Sequence, residues 1–195
     1  MMSLFHEITP QNLACTVLMA GLLLATAFDF KYHRIPNLLN GCLFILGLTY
    51  QAYTQGTLGV LHGLAAATLA FFIFFMLYLI GAMGAGDVKL IAGAAVFVSE
   101  PQALNAALFS LVAGSLLGLG ILLVKGGLPQ YLKRYYFMLK TWVRTFQWVY
   151  QPPAEDEVAA EKFPFAIAIT VGFSIVLLQE SLVPEPLLNQ AMNSL

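Results

Sequence analysis

The sequence predicts an all-α, polytopic membrane protein with about six transmembrane helices. Of its 195 residues, 59% are hydrophobic and only 10% are charged, and the mean hydropathy is +0.80. Soluble domains carry about 25% charged residues. The few charges also leave long uncharged intervals between them, and a helix needs about 20 apolar residues to cross a bilayer. Composition and spacing therefore both indicate a chain that crosses a membrane several times.

Five apolar stretches are long enough to be assigned as spans directly. The interval between Ile35 and Gly86 has no charge and has room for two of them. Its break is expected at residues 53–57, where Tyr, Thr, Gln and Gly replace aliphatic residues. The predicted spans are residues 11–28, 37–53, 58–80, 103–124 and 163–180.

A further span, the fourth in chain order, is predicted at residues 88–98 although it is too short to cross a bilayer alone. Positive charge supports counting it, because cytoplasmic loops are rich in Lys and Arg and translocated loops are not. With six spans all nine cations fall on one side, whereas with five they divide between the two sides. We therefore expect both termini to be non-cytoplasmic. The nine cations are Lys31, Arg34, Lys89, Lys125, Lys133, Arg134, Lys140, Arg144 and Lys162.

The chain is predicted to be a single membrane-embedded domain, residues 1–195, with one large cytoplasmic loop at residues 125–162. Within that loop, residues 128–150 mix aromatic side chains with Lys and Arg at helical spacing. Such a segment is typical of a helix that lies at the headgroup level, with its rings inward and its cations toward anionic lipid. The alternative is a docking surface for a partner's juxtamembrane segment.

Two of the ten acidic residues require an explanation, because they lie at the ends of predicted spans. Asp29 lies directly after the first span and Asp87 directly before the fourth, while the other eight are assigned to loops or to the regions near the termini. An ionisable group in a membrane helix costs about 2.5–3.5 kcal/mol at the bilayer centre and less toward the interface, so a functional role is the first hypothesis. The predicted topology puts both aspartates on the cytoplasmic face.

Two carboxyl groups that share a site do not both ionise easily, so one keeps a proton while the other is a base. Aspartic proteases activate water in this way, and such a pair titrates as one coupled unit. The simpler structural alternatives are that Asp29 pairs with Lys31 or Arg34, and that Asp87 caps its helix and pairs with Lys89. Gly81, Gly84 and Gly86 are expected to adopt backbone conformations closed to other residues and to let a substrate strand approach closely.

Three sequence blocks resemble those of the prepilin peptidases, which belong to the GxGD intramembrane aspartyl proteases. Residues 84–89, Gly-Ala-Gly-Asp-Val-Lys, are similar to the GxGDxK signature. Residues 29–37, which end in Ile-Pro-Asn, resemble the segment that carries the family's first catalytic aspartate. Residues 163–168, Phe-Pro-Phe-Ala-Ile-Ala, are similar to the family's proline-containing entry into the last helix.

This resemblance implies a catalytic pair of Asp29 and Asp87, supported by Gly84, Gly86, Lys89, Arg34, Pro36 and Asn37. The implied activity is removal of the leader peptide from pilin-like precursors, by cleavage after a glycine at the cytoplasmic face of the inner (plasma) membrane. No metal or other cofactor is expected, and the partners are the precursor and the lipid bilayer, with no nucleic acid. Lys89 is expected to be a local charge partner, while Pro36 and Asn37 break the chain after the first span.

The larger family members add a cytoplasmic domain with cysteine pairs that N-methylates the new terminus, and this chain contains neither. It resembles instead the short, peptidase-only form found in Flp/Tad pilus systems and the archaeal preflagellin peptidases, so methyltransferase activity is not expected.

Two functions from other classes remain open from the sequence. A small ion-coupled transporter would use intramembrane carboxylates as an ion relay, but both aspartates here lie at one face. A non-catalytic scaffold of a secretion or pilus machine would use the aromatic loop as its contact. The scaffold would be indifferent to substitution of Asp29 and Asp87.

Overall fold

The computed structural model describes residues 9–146 and 164–182, and over this part of the chain it consists of six α-helices without β-strands. The predicted all-α class is confirmed for these residues. Both termini lie outside them, and so do Lys162, Phe163 and the end of the predicted loop helix. The helices are α1 (Pro10–Tyr32), α2 (Asn37–Leu79), α3 (Ala85–Ala95), α4 (Glu100–Val124), α5 (Leu128–Thr145) and α6 (Ala166–Leu182).

Three helices, α1, α2 and α4, are long and apolar enough to cross a membrane, and α6 adds a shorter apolar segment at Ala166–Gln179. α1 has 23 residues, which corresponds to about 34 Å at 1.5 Å per residue. It extends four residues beyond the predicted span, because the polar residues that end the apolar stretch continue the helix. Asp29 therefore lies inside the last turns of α1.

α2 has 43 residues, about twice the length that a bilayer requires, and it is a helical hairpin. Gly56 interrupts it with φ 63° and ψ −144°, a conformation that only glycine adopts readily. Beyond it the chain turns back, since a Cβ at Gly59 would collide with the carbonyl oxygen of Gln51. The two arms, residues 37–55 and 57–79, correspond to the second and third predicted spans, and Gly56 lies within the predicted break.

α3 begins three residues earlier than predicted and has 11 residues, about 16 Å, or half of a bilayer core. It is enclosed by other helices, and Leu90, Ile91 and Ala94 are fully buried. Gln51 in the first arm of α2 donates from Nε2 to the carbonyl oxygen of Val96 at 3.0 Å, just after α3 ends. The short apolar segment is thus an internal helix surrounded by longer ones.

The core combines small residues with large ones such as Phe74 and Phe173, while many large apolar residues lie on the outside. Buried positions between the helices include Ala25, Ala66, Ala70, Ala94, Ala103, Ala106 and Ala107, whereas exposed positions include Leu23, Leu38, Ile45, Leu61 and Leu116. Small residues allow close helix contact where lipid, not water, is the solvent. On α6, for example, a Cβ at Gly172 would collide with Ser110 and Ala106 of α4. This arrangement and the apolar helices identify a membrane protein.

The described residues divide into two compact units. The first, residues 9–114 and 164–182, contains α1, α2, α3, α6 and the beginning of α4. The second, residues 115–146, contains the end of α4 and the whole of α5. α5 lies within the segment predicted to form an interfacial helix, and Leu132, Tyr136, Leu139 and Val143 form an exposed apolar stripe along it.

Candidate active site

Asp29 is a buried residue near the end of α1 and is 7% exposed. Its carboxyl Oδ2 accepts a hydrogen bond from the backbone N–H of Ala166, the first residue of α6, at 3.1 Å. Its own carbonyl oxygen accepts the N–H of His33 at 2.8 Å, where α1 ends in a left-handed residue. Free N–H groups at a helix start stabilise negative charge, so the first turn of α6 is a suitable partner for a carboxylate.

Asp87 is the third residue of α3 and is 8% exposed. Its Oδ2 accepts the N–H of Gly84, the residue that precedes the helix, at 3.1 Å. This bond is the carboxylate half of a capping box. It fixes the direction of the Asp87 side chain relative to the turn that connects α2 and α3.

The fold brings the two aspartates together although 58 positions separate Asp29 from Asp87 in the sequence. The two carboxyl groups interact electrostatically, and each uses Oδ2 for a backbone N–H from a different segment. Among the described residues, the ion pairs that would have explained them structurally, with Lys31, Arg34 or Lys89, are not formed. The structure therefore brings two acidic groups within range of electrostatic interaction, and neither of them forms an ion pair with Lys31, Arg34 or Lys89.

The glycines before Asp87 do not share one conformational reason, and that expectation is wrong in part. Gly81 has a φ of 75° and needs glycine, whereas Gly84 has a φ of −83° and Gly86 lies within α3. At Gly84 the constraint is space, because a Cβ there would lie 3.3 Å from Oδ2 of Asp87. At Gly86 a Cβ would make only ordinary contacts with Ile35, at 3.5 Å or more.

Lys89 has a different partner from the one predicted for it. Its Nζ donates to Oδ1 of Asn37 at 2.9 Å, so it connects the start of α2 to the first turns of α3. Pro36 precedes α2 with a φ of −60°, in agreement with its predicted role as the break after α1. Arg34 is exposed in the same connection.

Asn40 is a residue near the site that the sequence interpretation missed. It is buried, and its Nδ2 donates to the carbonyl oxygen of Gly86 at 3.4 Å. Together with the Asn37–Lys89 bond, it gives α2 a second polar contact with the turn that carries Asp87. A polar residue inside an apolar stretch marks a candidate functional or structural contact in the sequence. The partner of Asn40 is visible only in the fold.

A cavity of about 1200 Å³ lies at the other end of the first unit. Gln11 and Ala14 in the first turns of α1 line it, together with Gln51 and Gln55 near the α2 hinge. Asp29 is 18 positions beyond Gln11, which is about 27 Å along a helix. The polar lining of this cavity is therefore separate from the aspartate pair.

The described residues contain no cluster of three or more His, Cys, Asp or Glu side chains arranged to hold a metal ion. The aspartate pair is the chemistry that this part of the chain assembles. In general, two carboxyl groups that share one proton can supply an acid and a base to the same water molecule.

Comparison with known proteins identifies a family for this chain. The model of the type IV leader peptidase family matches residues 16–122, more than half of the chain. The match includes Asp29 and Asp87, and the proline-containing entry into α6 lies outside it. No curated protein and no solved structure matches the chain.

Proposed function

Because this chain belongs to the type IV leader peptidase family, we propose that it is a membrane aspartyl endopeptidase that uses Asp29 and Asp87 as its catalytic pair. It removes the leader peptide of pilin-like precursors by cleavage after a glycine. Cleavage takes place at the cytoplasmic face of the inner (plasma) membrane.

One observation carries this proposal. Asp29 and Asp87 come from helices far apart in the sequence, interact electrostatically, and form no ion pair with a Lys or Arg of the described residues. Burying a carboxyl group in a membrane protein costs free energy, so a buried aspartate is by default a candidate functional residue. Each is also oriented by a backbone N–H, and such orientation is required of a pair that must hold one water molecule between them.

The reaction follows from two carboxyl groups that share one proton. The ionised aspartate takes a proton from water while the oxygen of that water attacks the scissile carbonyl carbon, and the protonated aspartate donates to the carbonyl oxygen. When the tetrahedral intermediate collapses, the carbon–nitrogen bond breaks. The aspartate that was first the base gives its proton to the leaving amine, and the other regains one from the diol.

The topology that fits this function has six crossings: α1, the two arms of α2, α3 with the residues that follow it, α4 and α6. Within a helical bundle the short α3 is acceptable, because its surroundings are protein and not lipid. In this arrangement the aspartates share one side with all the described cations. The basic leader and the transmembrane helix of a pilin-like precursor would place its scissile bond at that level.

Leader removal from a co-expressed pilin-like precursor tests the proposal, with a gel shift and N-terminal sequencing as the readouts. We expect wild type to cut after the glycine, and Asp29→Asn and Asp87→Asn each to lower the rate at least about 10³-fold, since neither variant can form the acid–base pair. Both variants should still accumulate in the membrane.

Normal cutting by either variant contradicts the proposed pair. Failure of the wild-type protein to cut several such precursors would instead favour a non-catalytic scaffold or an ion-coupled transporter.

A further inference from the structure

The interface between α1 and α6 contains polar contacts that continue from the catalytic site into the bundle. On α1 the residues that face α6 are Leu22, Thr26 and Asp29, at helical spacing. On α6 the matching residues are Ala166 and Thr170. Asp29 meets Ala166, and Thr26 meets Thr170 one turn farther from the site.

The Thr26 and Thr170 hydroxyl oxygens are 2.8 Å apart. The Thr170 hydroxyl also lies 2.9 Å from the carbonyl oxygen of Ala166. A hydroxyl has a single proton to donate but can accept as well. One assignment satisfies both contacts: Thr26 donates to Thr170, and Thr170 donates to the carbonyl of Ala166.

Ala166 is consequently held at both of its backbone polar groups. Its N–H donates to Oδ2 of Asp29 at 3.1 Å, and its carbonyl oxygen accepts the Thr170 hydroxyl. The position of Thr170 is in turn tied to α1 through Thr26. The Thr26–Thr170 contact thus sets the position of α6 along the axis of α1. It thereby also sets the position of the Ala166 N–H that orients Asp29.

We infer that Thr26 and Thr170 are positioning residues for the Asp29 carboxyl group. The inference rests on the proposed function, because it names residues that act on the same site. Hydroxyl groups between membrane helices have no water to bond and pair with each other or with backbone. The hydrogen bond between Thr26 and Thr170 meets this requirement and at the same time aligns α6 with Asp29. The remaining polar contacts of α6 side chains with α1 are longer, at 3.4 Å from the Thr170 hydroxyl to the carbonyl oxygen of Leu22 and 3.8 Å from the Ser174 hydroxyl to the sulfur of Met19.

Isosteric variants test the role kinetically. Thr26→Val and Thr170→Val keep shape and volume but remove the hydroxyl bond, so we expect each to lower kcat for leader removal about tenfold, with KM changed less than about twofold. The double variant should have a kcat no lower than that of the more impaired single variant, because both substitutions remove the bond between Thr26 and Thr170. Thr170→Ser retains a hydroxyl and should restore kcat to near the wild-type value.

Ser174→Ala is the matched control. Ser174 is one turn farther along the same face of α6, and its hydroxyl lies 3.8 Å from the sulfur of Met19 on α1. An unchanged kcat in this variant is expected. An equal loss of kcat in Ser174→Ala, or additive losses in the Thr26 and Thr170 variants, would show general packing of α6 and overturn the inference.

A readout that does not need activity separates this inference from the proposed function. In a background of Cys15→Ala and Cys42→Ala, the pair Thr26→Cys and Thr170→Cys should form a disulfide on mild oxidation, whereas Thr26→Cys with Ser174→Cys should not. Absence of the first disulfide overturns the positioning role even if the wild-type enzyme cuts its precursor. If Thr170→Val does not accumulate, Thr26→Val decides the kinetic question, since it leaves the bond within α6 intact.

Discussion

At the scale of single residues, the site depends on two backbone N–H groups that orient two carboxyl groups. Asp29 accepts from Ala166, and Asp87 accepts from Gly84. Neither donor is a side chain, so no residue identity in the sequence marks it. Because the backbone supplies each hydrogen bond, a substitution at either donor residue acts through the space that its side chain occupies, and its effect depends on whether an added atom displaces the carboxyl oxygen.

Gly84 and Gly86 belong to the same short motif but should respond differently to alanine. A Cβ at Gly84 would lie 3.3 Å from Oδ2 of Asp87 and displace it, whereas a Cβ at Gly86 would meet only Ile35 at 3.5 Å or more. We expect Gly84→Ala to lower kcat/KM for leader removal about tenfold or more. Gly86→Ala should retain more activity and resist thermal unfolding in detergent at least as well as wild type, because alanine favours the helix. Equal losses in the two variants would refute this distinction.

At the scale of helices, the elements differ in what determines them. The α2 hairpin depends on one residue, Gly56, whereas α3 depends on enclosure by its neighbours. α5 presents an apolar stripe beside a row of cations, Lys133, Lys140 and Arg144, and this pattern is typical of a helix at a membrane surface. Each of these differences leads to a separate measurement.

Gly56→Ala should destabilise the hairpin by about 1–3 kcal/mol, because the φ of 63° is strained for any side chain. Gly41→Ala is the control in the same helix, since a Cβ there would meet nothing within 4 Å. The midpoint of thermal unfolding in detergent, and the amount of protein in the membrane, measure the difference. Similar behaviour of both variants would mean that the reversal at Gly56 is not needed for folding.

Tryptophan fluorescence can test the position of α5, because both tryptophans of the sequence, Trp142 and Trp148, lie in the segment predicted to contact lipid headgroups. We expect brominated lipids to quench this emission in the reconstituted protein, and anionic lipids to increase the quenching. The variant that combines Lys133→Gln, Lys140→Gln and Arg144→Gln should lose the dependence on anionic lipid, since it lacks the cations. Emission that no brominated lipid quenches would favour the alternative of a protein-docking surface.

At the scale of the whole molecule, many buried positions of the described residues are alanine, and many leucine, isoleucine and aromatic side chains are exposed. Lipid replaces water around the protein, so close backbone contact and internal hydrogen bonds hold the helices together. The proposed six crossings put the α2 hinge on the side opposite the cations.

Thiol labelling in cells measures that topology. In a background of Cys15→Ala and Cys42→Ala, Tyr53→Cys beside the hinge should react with a membrane-impermeant reagent added outside, because Tyr53 is exposed. Lys125→Cys should react only after the membrane is permeabilised. Labelling of both positions from the same side would rule out the proposed orientation.

The sequence by itself determined the class of the protein, the approximate place of its helices and the two aspartates. Apolar length is a local property, and so is the preference of Gly56 for a conformation that breaks a helix, which is why the predicted break at residues 53–57 contains the observed one. Asp29 and Asp87 stood out because a charged group in an apolar helix is costly wherever the helix lies. Their motifs then indicated the family to which the chain belongs.

Only the tertiary structure decided which groups contact the two aspartates and the residues around them. The N–H of Ala166 on Asp29, the Thr26–Thr170 bond, and the pairing of Lys89 with Asn37 instead of Asp87 each join segments that are distant in the chain. The enclosure of α3 is decided in the same way. Hydropathy and motif spacing describe one helix at a time. The contacts between helices depend instead on which helices are neighbours and on their relative positions along the helix axes. The packing of side chains across each interface determines both.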